Sequence, residues 1–576
     1  MTASKPFTFI PFQEKNPIRE FLRRHHTTIL ISLVILAVSI LYNLTFNRIF
    51  ILDIDEAHLI KRIMAVLTGE VPLIDFKRFT YAPGRYWLFG FFFRIFGPSL
   101  ALERLIWVIF RALVNVLTYL VARHMMPRNF ALIPVALSMT MACVPFKTLF
   151  PFLTVLNLFT LFGYIKTQQR KWLFITGVTA GVTLWFRQDI AGFLLIAAFF
   201  CFFFQQTSLQ TLNVKPPRIR VSVSLRPVFK TFGLFFSTLL IPFLPLVVFY
   251  GIQGMAHIFV WDMFIGGPLS LISRRGKMPH HFPPIQELFQ TPFNWDVLFL
   301  WTPVALFIGV FFLLSHRFMK HKQFTRHDLY VLATLIMAVL TFNQTFQYAI
   351  FERLLENAVP LYILAACILA LTYSTIQKRL ISRIRGQTRA AFIQGIVVAL
   401  LLSAPAVFIL YGLTQKNVND RLTYKRRRQE IVHSDRGVWL VKGQLQREIR
   451  AVRRAIAKTS QRDDQIVFIN TALIIYHATK KDLADYNIQI NYFNQNNVKQ
   501  YFLDFEPAYV AVENWALKYF RWLSPSFQQE FERNYIPIAT RAGHTVFRRK
   551  QDRTMKEETR PDNFRNGRRL ETSARS

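Results

Sequence analysis

Three carboxylates, Asp53, Asp55 and Glu56, stand within four residues directly after the first long apolar segment of the chain. A carboxylate this close to hydrocarbon is costly unless it is solvated or used. One interpretation is a general base or a metal ligand at a membrane surface, where apolar walls strengthen its electric field. The other is a solvated loop start in which Asp55 caps a helix. These residues alone leave both interpretations open.

Isolated cations at the ends of apolar segments form a second candidate group. Arg85 stands beside a Tyr-Ala-Pro-Gly turn and Lys147 in a short turn between two apolar segments, whereas Arg187 and Arg353 are each isolated at a segment end and accompanied by carboxylates. A cation in this position either reaches lipid headgroups or stabilises negative charge on a bound phosphate. The neighbouring carboxylates make Arg187 and Arg353 the better candidates for phosphate binding.

Metal and nucleotide sites have little support in the sequence. His280 and His281 follow Asp262 in a proline-rich stretch, but adjacent histidines point in different directions and no i, i+4 histidine pair accompanies them. The chain has no P-loop and no GxGxxG motif, so nothing predicts a nucleotide cofactor. A divalent metal is compatible with the carboxylates and is not indicated by them.

Composition places these residues in a membrane protein. Of 576 residues, 52% are apolar and 18% are charged, against about 25% charged in ordinary soluble chains. Such a chain buries too much apolar surface to be disordered, and 3 cysteines are too few for a disulfide scaffold. We predict a polytopic α-helical membrane protein with about eleven spans, at 28–47, 101–122, 130–145, 149–165, 172–186, 190–204, 231–250, 296–314, 329–345, 356–373 and 391–412.

Lysine and arginine set the predicted orientation. With the N-terminus in the cytoplasm, the inside segments carry roughly twice the Lys and Arg density of the outside segments. The net charge of +37 then reflects positive cytoplasmic loops, and no nucleic-acid partner is needed. An odd number of spans places the residues after 412 outside.

The predicted domains follow from this topology. Residues 1–27 form a cytoplasmic N-terminus, 28–412 the transmembrane domain with outer loop 48–100 and mobile loop 251–295, 413–550 a small extracytoplasmic α/β domain, and 551–576 a charged, disordered tail. Loop 48–100 predicts a surface helix from Glu56 to Leu67, capped by Asp55 and ended by Gly69. The C-terminal domain predicts a helix over 438–458, strands at 465–470 and 508–513, and a hairpin from 535–540 and 545–549.

One loop makes the chain recognisable. The Asp55-Glu56 pair follows the first span, the surface helix ends in Thr68-Gly69-Glu70-Val71-Pro72, and Tyr81-Ala82-Pro83-Gly84-Arg85-Tyr86-Trp87 comes next. This order resembles the GT-C superfamily of membrane glycosyltransferases, especially the bacterial aminoarabinose–lipid A transferase and protein O-mannosyltransferase group. A C-terminal extracytoplasmic α/β domain also occurs in that superfamily.

The resemblance implies an inverting transferase in the cell inner membrane, with its active site on the periplasmic side. Its donor would be a polyprenyl-phosphate-linked sugar, and its acceptor a hydroxyl of a lipid, a glycan or a protein. Asp55 would be the catalytic base, and Glu56 would orient Asp55 or the acceptor. The carrier phosphate and the substrate would be bound by Arg85, Arg187, Arg353, Tyr81 and Lys147.

Two other functions fit a polytopic chain with cationic outer loops. A transporter or flippase for lipid-linked glycans should show internal repetition or paired broken spans, and the sequence shows neither. The other is an inactive member of the superfamily whose outer domain binds a partner.

Overall fold

The computed structural model describes the helical part of the chain at residues 17–44, 54–72, 82–140, 147–212, 225–266, 283–289, 295–321, 323–347, 358–379 and 387–412. It also describes residues 429–434, 437–442, 466–469, 487–488, 509–513, 525–541 and 544–550. The chain divides into two compact units, residues 1–440 and 441–576. The finer ranges predicted for loops and tail stay predictions, since much of them lies outside the described residues.

Long helices make up the first unit, and each predicted apolar segment coincides with one of them. The helices are α1 Pro17–Leu44, α2 Ile54–Leu67, α3 Gly84–Phe96, α4 Leu100–Met125, α5 Arg128–Thr140, α6 Leu149–Thr167, α7 Arg170–Phe186, α8 Gln188–Leu212, α9 Arg226–Ile252, α10 Ala256–Trp261, α11 Trp295–His321, α12 Arg326–Gln347, α13 Val359–Arg379 and α14 Gln387–Gly412. A π-helical turn, Asp262–Gly266, and a 3₁₀ turn, Ile285–Phe289, lie between α10 and α11.

Seven of the described helices are long and apolar enough to cross a membrane: α1, α4, α6, α8, α9, α11 and α13. The predicted class, a polytopic α-helical membrane protein with a small C-terminal α/β part, is therefore confirmed. The predicted number of about eleven spans stays a prediction. Helix α5, for example, has 13 described residues, which at 1.5 Å per residue cover about 20 Å of the hydrocarbon core.

Helices α6 and α7 pack antiparallel through small polar side chains. The Asn157 amide donates to the Thr183 hydroxyl at 2.9 Å, and the hydroxyls of Thr160 and Thr179 lie 3.2 Å apart. Contacts of this kind hold membrane helices together where apolar surface provides no driving force. The antiparallel arrangement brings the start of α6 and the end of α7 to the same end of the bundle.

Helices α7 and α9 approach more closely still, because two glycines face the contact. A Cβ at Gly177 would overlap the Thr238 hydroxyl, and one at Gly181 would overlap the Leu239 carbonyl oxygen. The spacing of four residues puts both glycines on one face of α7. The Trp185 indole extends this contact by donating to the Pro242 carbonyl at 2.5 Å.

The surface helix of the first loop is present as α2, with one difference at its start. The helix begins at Ile54, two residues before the predicted start at Glu56, so Asp55 lies in its first turn and the expected N-cap at Asp55 is wrong. A carboxylate in the first turn still interacts favourably with the helix dipole. Gly69 ends the helix as expected, with a positive φ of 100°.

The second unit contains a five-stranded sheet. Strands β3 Ile466–Ile469, β4 Asn487–Ile488, β5 Tyr509–Glu513, β6 Tyr535–Arg541 and β7 His544–Arg549 follow the order β4-β3-β5-β7-β6. The strands near 465–470 and 508–513 and the 535–549 hairpin are confirmed, and helix α15 Pro525–Asn534 precedes β6.

The predicted helix over 438–458 is wrong at its start. Residues Gly437–Lys442 form strand β2, which pairs with β1 Gln429–Ser434. Valine and tryptophan in the Gly-Val-Trp-Leu-Val segment favour a strand, and this local preference prevails over the helical periodicity.

Candidate active site

The start of α3 is pressed against the end of α7. A Cβ at Gly84 would overlap the carbonyl oxygen of Trp185 and would lie 2.9 Å from its carbonyl carbon, so only glycine allows this approach. The Trp87 ring also meets the Trp185 ring, with centroids 5.7 Å apart. The contact brings Arg85, the second residue of α3, to the end of the bundle where Arg187 follows α7.

Arg85 is buried at 7% exposure and is held by the residue that follows it. Its Nη2 donates to the Tyr86 hydroxyl at 2.7 Å, and its guanidinium lies 4.9 Å from the centre of the Tyr86 ring. The same hydroxyl accepts a longer hydrogen bond, 3.4 Å, from Nη1 of Arg62 on α2. Tyr86 itself is fully buried, so its hydroxyl joins the two cationic side chains inside the protein.

Arg187 is fixed by a carboxylate and an aromatic ring. Its Nε and Nη2 donate to the two oxygens of Asp189 at 2.8 and 2.7 Å, a bidentate pair. Its guanidinium lies 3.9 Å above the centre of the Phe150 ring. Asp189 Oδ1 also accepts from the Ile190 amide at 2.9 Å, which anchors the pair to the first turn of α8.

Lys147 lies at the same end. It precedes α6, three residues before the Phe150 ring that carries the Arg187 guanidinium, and it is buried at 5% exposure. Arg85, Lys147 and Arg187 are thus three buried cations at one end of the bundle. Buried charges need polar partners, which Asp189 supplies to Arg187, and cations gathered at one place favour a ligand of opposite charge.

Helix α2 places Asp55 and Glu56 relative to these cations. Asp55 comes seven positions before Arg62, which is close to two helical turns, so both positions lie on one face about 10 Å apart along the axis. Arg62 and Val66 of α2 meet Tyr86 and Gly90 of α3 respectively, so the two helices run in the same direction. Asp55 and Glu56 therefore lie at the start of α2, about two turns before the residue that contacts Tyr86.

Several expected site residues lie outside the described part of the chain: Asp53, Tyr81, Arg353, His280 and His281. In the part that the structure describes, no three His, Cys, Asp or Glu side chains group as a metal ion needs.

Tyr86 and Arg62 were missed by the sequence analysis. A tyrosine in an aromatic stretch and an arginine on a surface helix carry no local signal of function. Only the parallel packing of α2 and α3 brings them together.

The arrangement can bind an anion and hold a carboxylate beside it. Guanidinium and ammonium groups stabilise the charge that develops on a departing phosphate. Asp55, seven residues before Arg62 in α2, is the candidate base that would take a proton from an acceptor.

Comparisons with models of protein families and with curated proteins find no match for the sequence. Solved structures do match. One is the archaeal oligosaccharyltransferase AglB from Archaeoglobus fulgidus in complex with an inhibitory peptide and a dolichol-phosphate, 13% identical with a TM-score of 0.48 over 90% of this chain and 74% of that one. Another is ArnT from Cupriavidus metallidurans bound to undecaprenyl phosphate, 13% identical with a TM-score of 0.49 over 91% and 98%. Both identities are 13% and both TM-scores are below 0.5, so the similarity carries no argument about the reaction of this chain.

Proposed function

We propose that the chain is an inverting glycosyltransferase, which moves a sugar from a polyprenyl-phosphate donor to an acceptor hydroxyl at the outer face of the cell inner membrane. The acceptor is a lipid, a glycan or a protein. The observation that supports the proposal is the group of three buried cations at one end of the bundle, near which α2, the helix of Asp55 and Glu56, contacts α3 through Arg62.

The proposed step is a single displacement. Asp55 takes the proton of the acceptor hydroxyl, and the hydroxyl oxygen attacks the anomeric carbon of the donor sugar. The bond from that carbon to the phosphate oxygen breaks, polyprenyl phosphate leaves with the electron pair, and the anomeric configuration inverts. Arg85, Lys147 and Arg187 stabilise the charge on the departing phosphate, with Arg353 and Tyr81 as further ligands.

The spacing along α2 suits this step. In this step the base, the acceptor oxygen, the anomeric carbon and the phosphate lie in line. One hydrogen bond of about 2.8 Å joins the base to the acceptor, another joins the phosphate to its cation, and the acceptor oxygen approaches the anomeric carbon to about 3 Å. The distance from base to cation is therefore on the order of 10 Å. The axial separation of Asp55 from Arg62, whose guanidinium contacts the same hydroxyl as Arg85, is about the same.

Membrane vesicles containing the purified protein and a labelled polyprenyl-phosphate sugar test the proposal. A transferase releases polyprenyl phosphate and forms a heavier acceptor, and both products are measured by mass spectrometry. A carrier would move the donor between leaflets and leave its mass unchanged. Mass spectrometry of lipid that co-purifies with the protein would supply the identity of the donor. Donor movement without any change in mass would contradict the transferase proposal.

A further inference from the structure

The Tyr86 hydroxyl is a shared acceptor for two guanidinium groups that belong to different helices. Arg85 donates to it at 2.7 Å from α3, and Arg62 donates to it at 3.4 Å from α2. The Arg85 contact is buried and so shielded from water, which strengthens it, whereas the Arg62 contact is partly buried. The longer of the two is the weaker bond.

The neutral hydroxyl of Tyr86 suits its position beside Arg85 because it adds no negative charge there. A neutral hydroxyl orients a guanidinium without cancelling its charge, whereas the carboxylate of Asp189 both orients Arg187 and offsets its charge. The Tyr86 contact by itself leaves the charge of Arg85 unchanged.

The second contact links the cation to the helix that carries the proposed base. Arg62 lies on the same face of α2 as Asp55, two turns further along. The chain of contacts from α2 through Arg62, the Tyr86 hydroxyl and Arg85 therefore sets the distance between the first turn of α2 and the phosphate-binding cation.

We propose that Tyr86 is a positioning residue for the carrier phosphate, acting through Arg85 and, more weakly, through Arg62. The proposal rests on the proposed function, since it assumes a phosphate ligand at Arg85. Tyr86 touches neither phosphate nor sugar in this scheme; its hydroxyl holds the guanidinium that does.

Binding of undecaprenyl phosphate to the purified full-length protein in detergent tests this proposal, with undecaprenol, which lacks the phosphate, as the control ligand. Tyr86→Phe keeps the buried ring and removes the hydroxyl. We expect it to weaken undecaprenyl phosphate binding about tenfold, which corresponds to about 1.4 kcal/mol, with the Tm of the ligand-free protein close to wild type. Tyr119→Phe is the matched control, because Tyr119 is also fully buried and lies in α4, where the cations that act on it are Arg123 and Arg128 and not Arg85. It should bind as wild type does.

A double-mutant cycle with Arg85→Gln separates positioning from general loosening. If Tyr86 acts through Arg85, Tyr86→Phe has little further effect on affinity once Arg85→Gln is present. Wild-type affinity in Tyr86→Phe, or fully additive losses in the double variant, would overturn the proposal and leave the proposed function standing. If wild-type protein binds undecaprenol as well as undecaprenyl phosphate, the proposed function itself fails, and the role of Tyr86 fails with it.

Discussion

Asp55 carries the most specific chemical assignment, and a change of one atom tests it. In Asp55→Asn the side chain keeps its size but can no longer accept a proton. A general base contributes about a hundredfold to ten-thousandfold in rate, or roughly 3 to 5 kcal/mol. Loss of a charge in the first turn of α2 costs only about 0.3 to 1 kcal/mol of stability. We expect turnover reduced at least about a hundredfold with normal expression and detergent stability.

Asp53→Asn is the comparison variant, because Asp53 lies outside the Asp55-Glu56 pair and before α2. We expect it to have the milder effect on turnover. Near-normal turnover in Asp55→Asn together with inactivity of Asp53→Asn would move the base to Asp53. Full activity of both variants would contradict the proposed mechanism.

Arg85 and Arg187 should respond differently to loss of charge, because their partners differ. A hydrogen bond to a charged group contributes about 1.5 to 3 kcal/mol, so Arg85→Gln and Arg187→Gln should each raise the donor KM at least about tenfold. Arg187→Gln should also lower the Tm, since it leaves Asp189 without its bidentate partner and removes the cation from the Phe150 ring. Arg85→Gln should affect the Tm less.

Arg94→Gln is the control for both arginine variants, because Arg94 is exposed in the last turn of α3. Its donor KM should equal that of wild type. Unchanged donor KM in both Arg85→Gln and Arg187→Gln would move the phosphate to other residues, with Arg353 the first to examine.

At the scale of the residue, sequence reasoning found the charges and missed what holds them. Arg85, Lys147 and Arg187 stand out because an isolated cation beside an apolar segment is rare. Tyr86 does not stand out, because burial of its hydroxyl between Arg62 and Arg85 depends on how α2 packs on α3. The alignment of α2 with α3 depends on contacts between the two helices, so it cannot be predicted from the sequence of either helix alone.

The contact between α7 and α9 should be the most sensitive to added volume of the described helix pairs. A Cβ at Gly181 would overlap the backbone carbonyl of Leu239 and crowd the Pro242 ring. Overpacking of this kind costs about 1 to 3 kcal/mol, so Gly181→Ala should lower the Tm measured by thermal unfolding in detergent.

Gly233→Ala provides the matched control within the same pair of helices. Gly233 lies in α9, and a Cβ added there would meet no atom within 4 Å. Alanine is also favoured over glycine in a helix by about 1 kcal/mol. The Tm of this variant should equal or exceed that of wild type. An equal loss of Tm in Gly233→Ala and Gly181→Ala would show that helix flexibility, and not close packing, determines the result.

The helices were predictable from the sequence wherever the length of an apolar segment is enough to determine the structure. A membrane helix needs about 20 apolar residues, and segments such as 231–250 and 356–373 carry that signal regardless of their neighbours. The Gly437–Lys442 strand was mistaken for a helix because a short segment satisfies both periodicities, and pairing with β1 decides between them.

The orientation of the whole molecule gives the broadest prediction. The Lys and Arg asymmetry places residue Ser222 in the cytoplasm and Ile490 outside. Single cysteines at these two positions, in a background without Cys143, Cys201 and Cys367, report the orientation when intact cells are treated with a membrane-impermeant thiol reagent. We expect labelling at 490 only. Labelling at 222 and not at 490 would invert the scheme and place Asp55 on the cytoplasmic side.

The contact of α3 with α7 has an optical consequence. The indoles of Trp87 and Trp185 lie 5.7 Å apart at an angle of 70°, close enough for their intense electronic transitions to couple into a paired signal in far-ultraviolet circular dichroism. Each indole is two residues from a proposed phosphate ligand, Arg85 or Arg187. A ligand that shifts α3 against α7 therefore changes the exciton signal of the unlabelled protein, and the difference vanishes when either tryptophan is replaced by phenylalanine.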